Sequence, residues 1–188
     1  MANNFNDDDI KIAPDNISKL FKSENPVADD NIDMFFSQRK LGNTQKARQF
    51  GVEMVKDLLD CVWTSSPDMV DPREFELQLK ILFAYAVHRI VEDYSPNPIV
   101  ANACVSSFYE CLENEEPELF QKITQSPAFS LYLYLHRSGE ENAESVGKTF
   151  AGLCSSSLDE QTKSIGETAY CRFMGSIANK LATVGFAE

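Results

Sequence analysis

The sequence predicts an all-α protein, an irregular bundle of roughly seven to nine helices built from antiparallel hairpins. Three observations predict it. All eight prolines (positions 14, 26, 67, 72, 96, 98, 117 and 127) fall at junctions, leaving windows 27–66, 73–95, 99–116 and 128–188 without one. Each window can run as helix, because a proline inside one would remove an amide donor and clash with the preceding turn. Apolar residues recur every three or four positions in four of the segments, the period of one helix face. Only one stretch alternates with a period of two, and a strand with nothing to pair with leaves its backbone groups unsatisfied.

The chain's 188 residues, 43% hydrophobic and 24% charged, match one soluble globular domain able to bury a core without disulfides or metals. The reading is a flexible acidic N-terminal tail over 1–13 and a single helical domain over 14–188. Met1 to Asp9 holds no basic residue and no apolar run, so nothing there resembles a targeting peptide. The longest apolar run, Ile81 to Val87, is far too short to cross a bilayer, and no membrane partner is expected. Five cysteines (Cys61, Cys104, Cys111, Cys154, Cys171) are odd in number, lack C-x-x-C spacing and sit among apolar neighbours. They read as free core thiols in a reducing cytoplasm.

In chain order, Gly42-Asn43 marks a helix-turn-helix junction. From Thr44 to Thr64 the stripe is Ala47, Phe50, Met54, Leu58 and Cys61. Asp71-Pro72 then pairs an N-cap residue with proline at the first helical position, opening a helix to Tyr94. Phe75, Leu79, Leu82, Ala86 and Ile90 form its main face, and Ile81, Phe83, Tyr85, Val87 and Val91 fill most of the remaining circumference. This is the expected central helix. Asn97-Pro98 opens the next, striped by Val100, Cys104, Phe108 and Cys111. Ser126-Pro127 precedes Phe129 to Leu135, the alternating stretch, which is read as a buried helix. Ser155 to Ser157 reads as a loop with an N-cap, and Ile165, Ala169, Phe173, Ile177 and Leu181 stripe the last helix.

Gly42 and Gly139 look like helix ends. Gly51, Gly147, Gly152, Gly166 and Gly175 lie inside helices, where each costs about 1 kcal/mol relative to alanine, so close helix crossings are expected there. The run Lys40 to Ala47 resembles the turn of a tetratricopeptide helical hairpin, in which glycine ends one helix and a small alanine packs in the next. The resemblance covers this hairpin alone: the tryptophan, glycine and tyrosine pattern is missing from the preceding helix, and no 34-residue period follows. Ala47, Phe50 and Gly51 also relate to Ala143, Val146 and Gly147 at a constant offset, as two hairpins of related geometry would.

Acidic residues number 29 against 17 basic, a net charge of −12 that argues against nucleic acid as a partner. Charge is uneven: residues 65–116 carry ten acids and three bases, and only 34–64, with five bases and three acids, is net positive. Arg39, Lys40, Lys46 and Arg48 there are the interaction candidates. Ligand-pocket candidates are Arg89 and Asp93, with His88, Glu92, Tyr94 and His136. Helical phase puts Arg89 and Asp93 on the main apolar stripe, as a buried ion pair or as the polar end of an anion pocket. His88 and Glu92, four apart, have ligand spacing, but no H-E-x-x-H accompanies them and no metal is expected. Neither G-x-S-x-G nor a P-loop occurs, and no cofactor motif is found.

With no catalytic constellation, the leading expectation is a non-enzymatic protein-interaction module, an adaptor or a self-associating protein. An acidic inhibitor or immunity-type protein covering a basic partner through residues 65–116 is the alternative. A small-ligand binder or enzyme using Arg89, Asp93, His88 and His136 is the third.

Overall fold

The computed structural model describes residues 26–63, 70–154 and 159–187, with side chains from Ile32 onward. The tail over 1–13, the Pro14 and Pro67 junctions and Ser155 to Ser157 lie outside the described residues. Eight α-helices and no strand are found among those residues. They are α1 (Pro26–Lys40), α2 (Asn43–Leu59), α3 (Pro72–Tyr94), α4 (Pro98–Glu115), α5 (Pro117–Gln125), α6 (Pro127–Arg137), α7 (Ala143–Cys154) and α8 (Glu160–Thr183).

The helix starts follow from side-chain capping. Asp71 accepts from the Arg73 amide, Asn97 from the amides of Ile99 and Val100, and Ser126 from the Ala128 amide, each just ahead of a proline. Those amides have no partner inside the helix, and the proline lacks one to begin with. Asp159 caps α8 by accepting from the amide and the hydroxyl of Thr162. Gly42 and Gly139 end helices at φ 77° and 74°, the left-handed region where a side chain is strained.

Helix α3 is the core of the bundle. Every residue from Ile81 to Val87 is buried, which requires neighbours on all sides. Those neighbours are α8, α4, α6, α7, α2 and α5. Edge-on aromatic pairs tie α3 to three of them: Phe75 to Phe150, Phe83 to Phe173 and Tyr85 to Phe129. The two most extensive helix pairings are α7 with α8, adjacent in the chain, and α2 with α4, which are not.

Glycine makes both of these pairings possible. A Cβ on Gly51 would collide with the Cys104 carbonyl oxygen and, at 2.9 Å, with the Phe108 amide nitrogen. One on Gly147 would meet the Lys163 carbonyl oxygen at 2.7 Å and the Glu167 amide nitrogen at 3.2 Å. The two related glycines thus press against the same feature of their partner helix, a carbonyl and the amide four residues on. Gly166 gives way to the Phe150 side chain, whereas Gly152 and Gly175 have nothing within 4 Å of a built Cβ. Close crossing therefore accounts for three of the five helical glycines. Nothing in the structure explains the other two.

Several expectations are corrected. Helix α2 stops at Leu59, short of Thr64, leaving Cys61 half-buried beyond its end. The alternating Phe129–Leu135 stretch is helical but not buried throughout: Ala128 and Tyr132 face the core, while Leu131 and Tyr134 are exposed. No two cysteines are paired, yet only Cys104 and Cys154 are in the core, and Cys171 is exposed. Leu112 and Gly166 take the buried places expected of Cys111 and Ile165. No helix among the described residues is long and apolar enough to cross a membrane.

Candidate functional site

Residues 85, 89 and 93 lie four apart on α3, so Tyr85, Arg89 and Asp93 form one row pointing past the end of α6. The loop after Gly139 brings Glu141 against that row, with its side chain only 10% exposed. Its Oε1 accepts from the hydroxyls of Tyr85 at 2.6 Å and Tyr170, on α8, at 3.0 Å. Its Oε2 lies 2.9 Å from Nδ1 of His136 and 3.3 Å from Nε of Arg89. Arg89 also meets Asp93 through its guanidinium.

Arg89 Nε is 3.1 Å from His136 Nδ1 as well, and that nitrogen cannot both accept from Arg89 and donate to Glu141. The carboxylate is the stronger acceptor, which favours a proton on Nδ1 and both donors aimed at Oε2. Burial acts to raise the Glu141 pKa, but the hydrogen bonds from Tyr85, Tyr170 and His136 and the Arg89 charge outweigh it and hold the carboxyl below its usual range. Burial also opposes the Arg89 charge, and Asp93 and Glu141 together overcome it. Both tyrosines are pushed upward, by burial first and by the adjacent carboxylate second, so neither can act as a base near neutrality. The arrangement is a satisfied ionic clasp joining α3, α6, α8 and the loop before α7.

The sequence-predicted pocket residues divide around this clasp. Arg89 and His136 belong to it. Asp93 pairs with Arg89 as expected, but its side chain is 39% exposed, so the pair is not buried on both sides. His88 stands edge-on to Phe129 with Nδ1 3.7 Å from Glu92, beyond hydrogen-bond reach, and burial, helped by the Arg89 charge, lowers its pKa. Glu92 and Tyr94 are exposed. No cluster of three or more His, Cys, Asp or Glu with metal-binding geometry exists among the described residues. The thiols of Cys104 and Cys154 are pushed up to about 12 by burial, which makes them poor nucleophiles.

The basic candidates sit elsewhere. Arg39, Lys40 and Arg48 are exposed around the α1–α2 junction. Lys46 instead donates to the Gly185 carbonyl, beside the buried Asn43, whose side chain bonds both the amide and the carbonyl of Ala187. Arg39 and Arg48 line an open groove of about 720 Å³ between α1, α2 and α4. Its apolar surface comes from Phe35, Ile99 and Ala103, and Glu110 stands among the polar lining residues. Ile32, Met34, Phe35 and Phe36 on α1 are all at least 40% exposed, and Leu41 is 38% exposed.

Sequence reasoning missed Glu141, Tyr85 as a polar group, Tyr170 and the α1 aromatics. Met34-Phe35-Phe36 carried a readable signal, since three consecutive apolar residues cannot share one helix face. No known protein family matches the chain, and neither a curated protein nor a solved structure is similar to it.

Proposed function

We propose that the protein is a non-enzymatic helical interaction module that engages a protein partner through the face made by α1 and the groove beside it. The observation that carries this reading is the run of exposed large apolar side chains, Ile32, Met34, Phe35, Phe36 and Leu41, on one short stretch of chain. Ile32, Phe35 and Phe36 fall within about 100° of arc on one side of α1, and an exposed apolar patch of that kind marks a place where another surface is bound. The clasp around Glu141 fits the same reading, because its four donors are spent on that one carboxylate. The test is a photo-crosslinking amino acid placed at position 36 and, as control, at position 118 on α5, in living source cells. A discrete adduct from position 36 alone supports the reading, with a dimer mass indicating self-association and any other mass an adaptor. Equal yields at both positions overturn it.

A second reading is favoured by the exposed acids Glu110, Glu113, Glu115, Glu116 and Glu118 along the end of α4 and the start of α5. Such an edge suits an inhibitor that covers a basic partner. It predicts the reverse crosslinking pattern.

A further inference from the structure

We infer that the groove between α1, α2 and α4 receives an acidic amphipathic helix of a partner protein, its apolar side chains on Phe35, Ile99 and Ala103 and its carboxylates on Arg39 and Arg48. This rests on the interaction-module reading and names the partner's chemistry. Charge is the first argument. The protein carries −12 overall, yet the groove adjoins its one net-positive stretch, and no described carboxylate lies within ion-pair distance of Arg39 or Arg48. Two arginines without an acidic partner among the described residues, beside apolar surface, match a ligand that offers carboxylates and hydrophobic anchors together.

Shape is the second. The α4 wall runs from Ile99 to Glu110, about 16 Å at the helical rise per residue, which spans roughly three turns of a docked helix. A volume of about 720 Å³ accepts the side chains of one helix face. Phe35 lines the groove, and Phe36, 59% exposed, stands edge-on to Phe35 with ring centroids 5.8 Å apart. Glu110 is the one acid in the lining, and it disfavours a carboxylate at that end. Glu110 stands one turn from Ser107, whose hydroxyl donates to the Arg48 carbonyl, so the acids of the ligand lie chiefly toward Arg39.

The experiment is fluorescence anisotropy with a labelled peptide about 14 residues long, with leucines at i, i+4 and i+7 and glutamates on the flanks. Three further probes go beside it: the same peptide with lysines for glutamates, a scrambled peptide of identical composition, and a single-stranded oligonucleotide. Micromolar binding of the patterned acidic peptide is expected, weakened by salt and reduced tenfold or more by Arg39→Glu with Arg48→Glu. Lys148→Glu, on the exposed face of α7, changes charge in the same sense and should alter binding less than twofold. Equal binding of the scrambled peptide, tighter binding of the lysine peptide or the oligonucleotide, or equal losses in the two kinds of variant would each overturn the inference. Crosslinked adducts from position 36 together with any of these results would leave the interaction module standing and remove only its acidic helical partner.

Discussion

Glu141 accepts four hydrogen-bond donors from three helices while remaining almost wholly buried. Removing one side of such an ion pair leaves the other charge buried and unpaired, at a cost of about 3–5 kcal/mol. Arg89→Met leaves Glu141 its other three donors, so the loss in a chemical denaturation curve should fall short of that, at about 1.5–3 kcal/mol. Asp93→Asn should cost less than about 1 kcal/mol, because Asp93 reaches water and exposed pairs contribute little. The joint change Arg89→Met with Glu141→Leu should recover only part of the loss, since the hydroxyls of Tyr85 and Tyr170 lose their acceptor. The sign of the pH effect follows from the carboxyl held below its usual range in the folded state. The clasp's contribution is then complete above the ordinary glutamate pKa of about 4.3 and is lost as pH falls through the lower, folded value. Glu141→Gln should therefore flatten the acid limb of stability against pH, and an unchanged limb would refute this account. The Arg89–Asp93 contact was legible in the sequence because both residues sit on one helix and the helical period is fixed. Glu141 was not, since it reaches α3 from a loop 52 residues away and no periodicity records that approach.

Among the elements, the helices were legible wherever a local signal sufficed. Proline after Asp71, Asn97 and Ser126 placed three starts, and the capping bonds are formed as those pairs imply. Burial was harder to read, because it depends on which neighbour arrives: Phe129–Leu135 carries large apolar or aromatic side chains everywhere but Ser130, yet α6 has one face against the core and another toward solvent. The pairing of α2 with α4 was likewise hidden, as α3 separates them in the chain. Gly51 was its only trace. A methyl group at position 51 meets backbone atoms of α4, which cannot rotate away, whereas at position 152 it meets nothing. Gly51→Ala should consequently lower the melting temperature. Gly152→Ala should raise stability by about 0.5–1 kcal/mol, the helix-propensity gain of alanine over glycine. Thermal scans of the two variants should move in opposite directions, and a stabilising Gly51→Ala would mean that α2 and α4 are not in close contact.

For the molecule as a whole, packing falls off from α3 outward, and that gradient should be visible as a gradient of local stability. Opening the middle of α3 would expose Ile81 to Val87 together with the faces of the helices around it, so its amides can exchange only when most of the bundle opens. Helix α1 is different: from Ile32 to Lys40 every residue is exposed except Gln38, which is half-buried and held by a hydrogen bond from Asn43. Detaching it uncovers little apolar surface, so its opening free energy should lie far below the global value. Native-state hydrogen exchange read by mass spectrometry should find peptides covering Ile32 to Lys40 exchanging orders of magnitude faster than those covering Ile81 to Val87. The contrast also bears on binding, because a partner seated beside α1 adds protection there and leaves α3 unchanged. Protection of α1 equal to that of α3 in the isolated protein at high dilution would contradict the gradient. If that protection instead grew with protein concentration, the surface covering α1 would be a second copy of the chain.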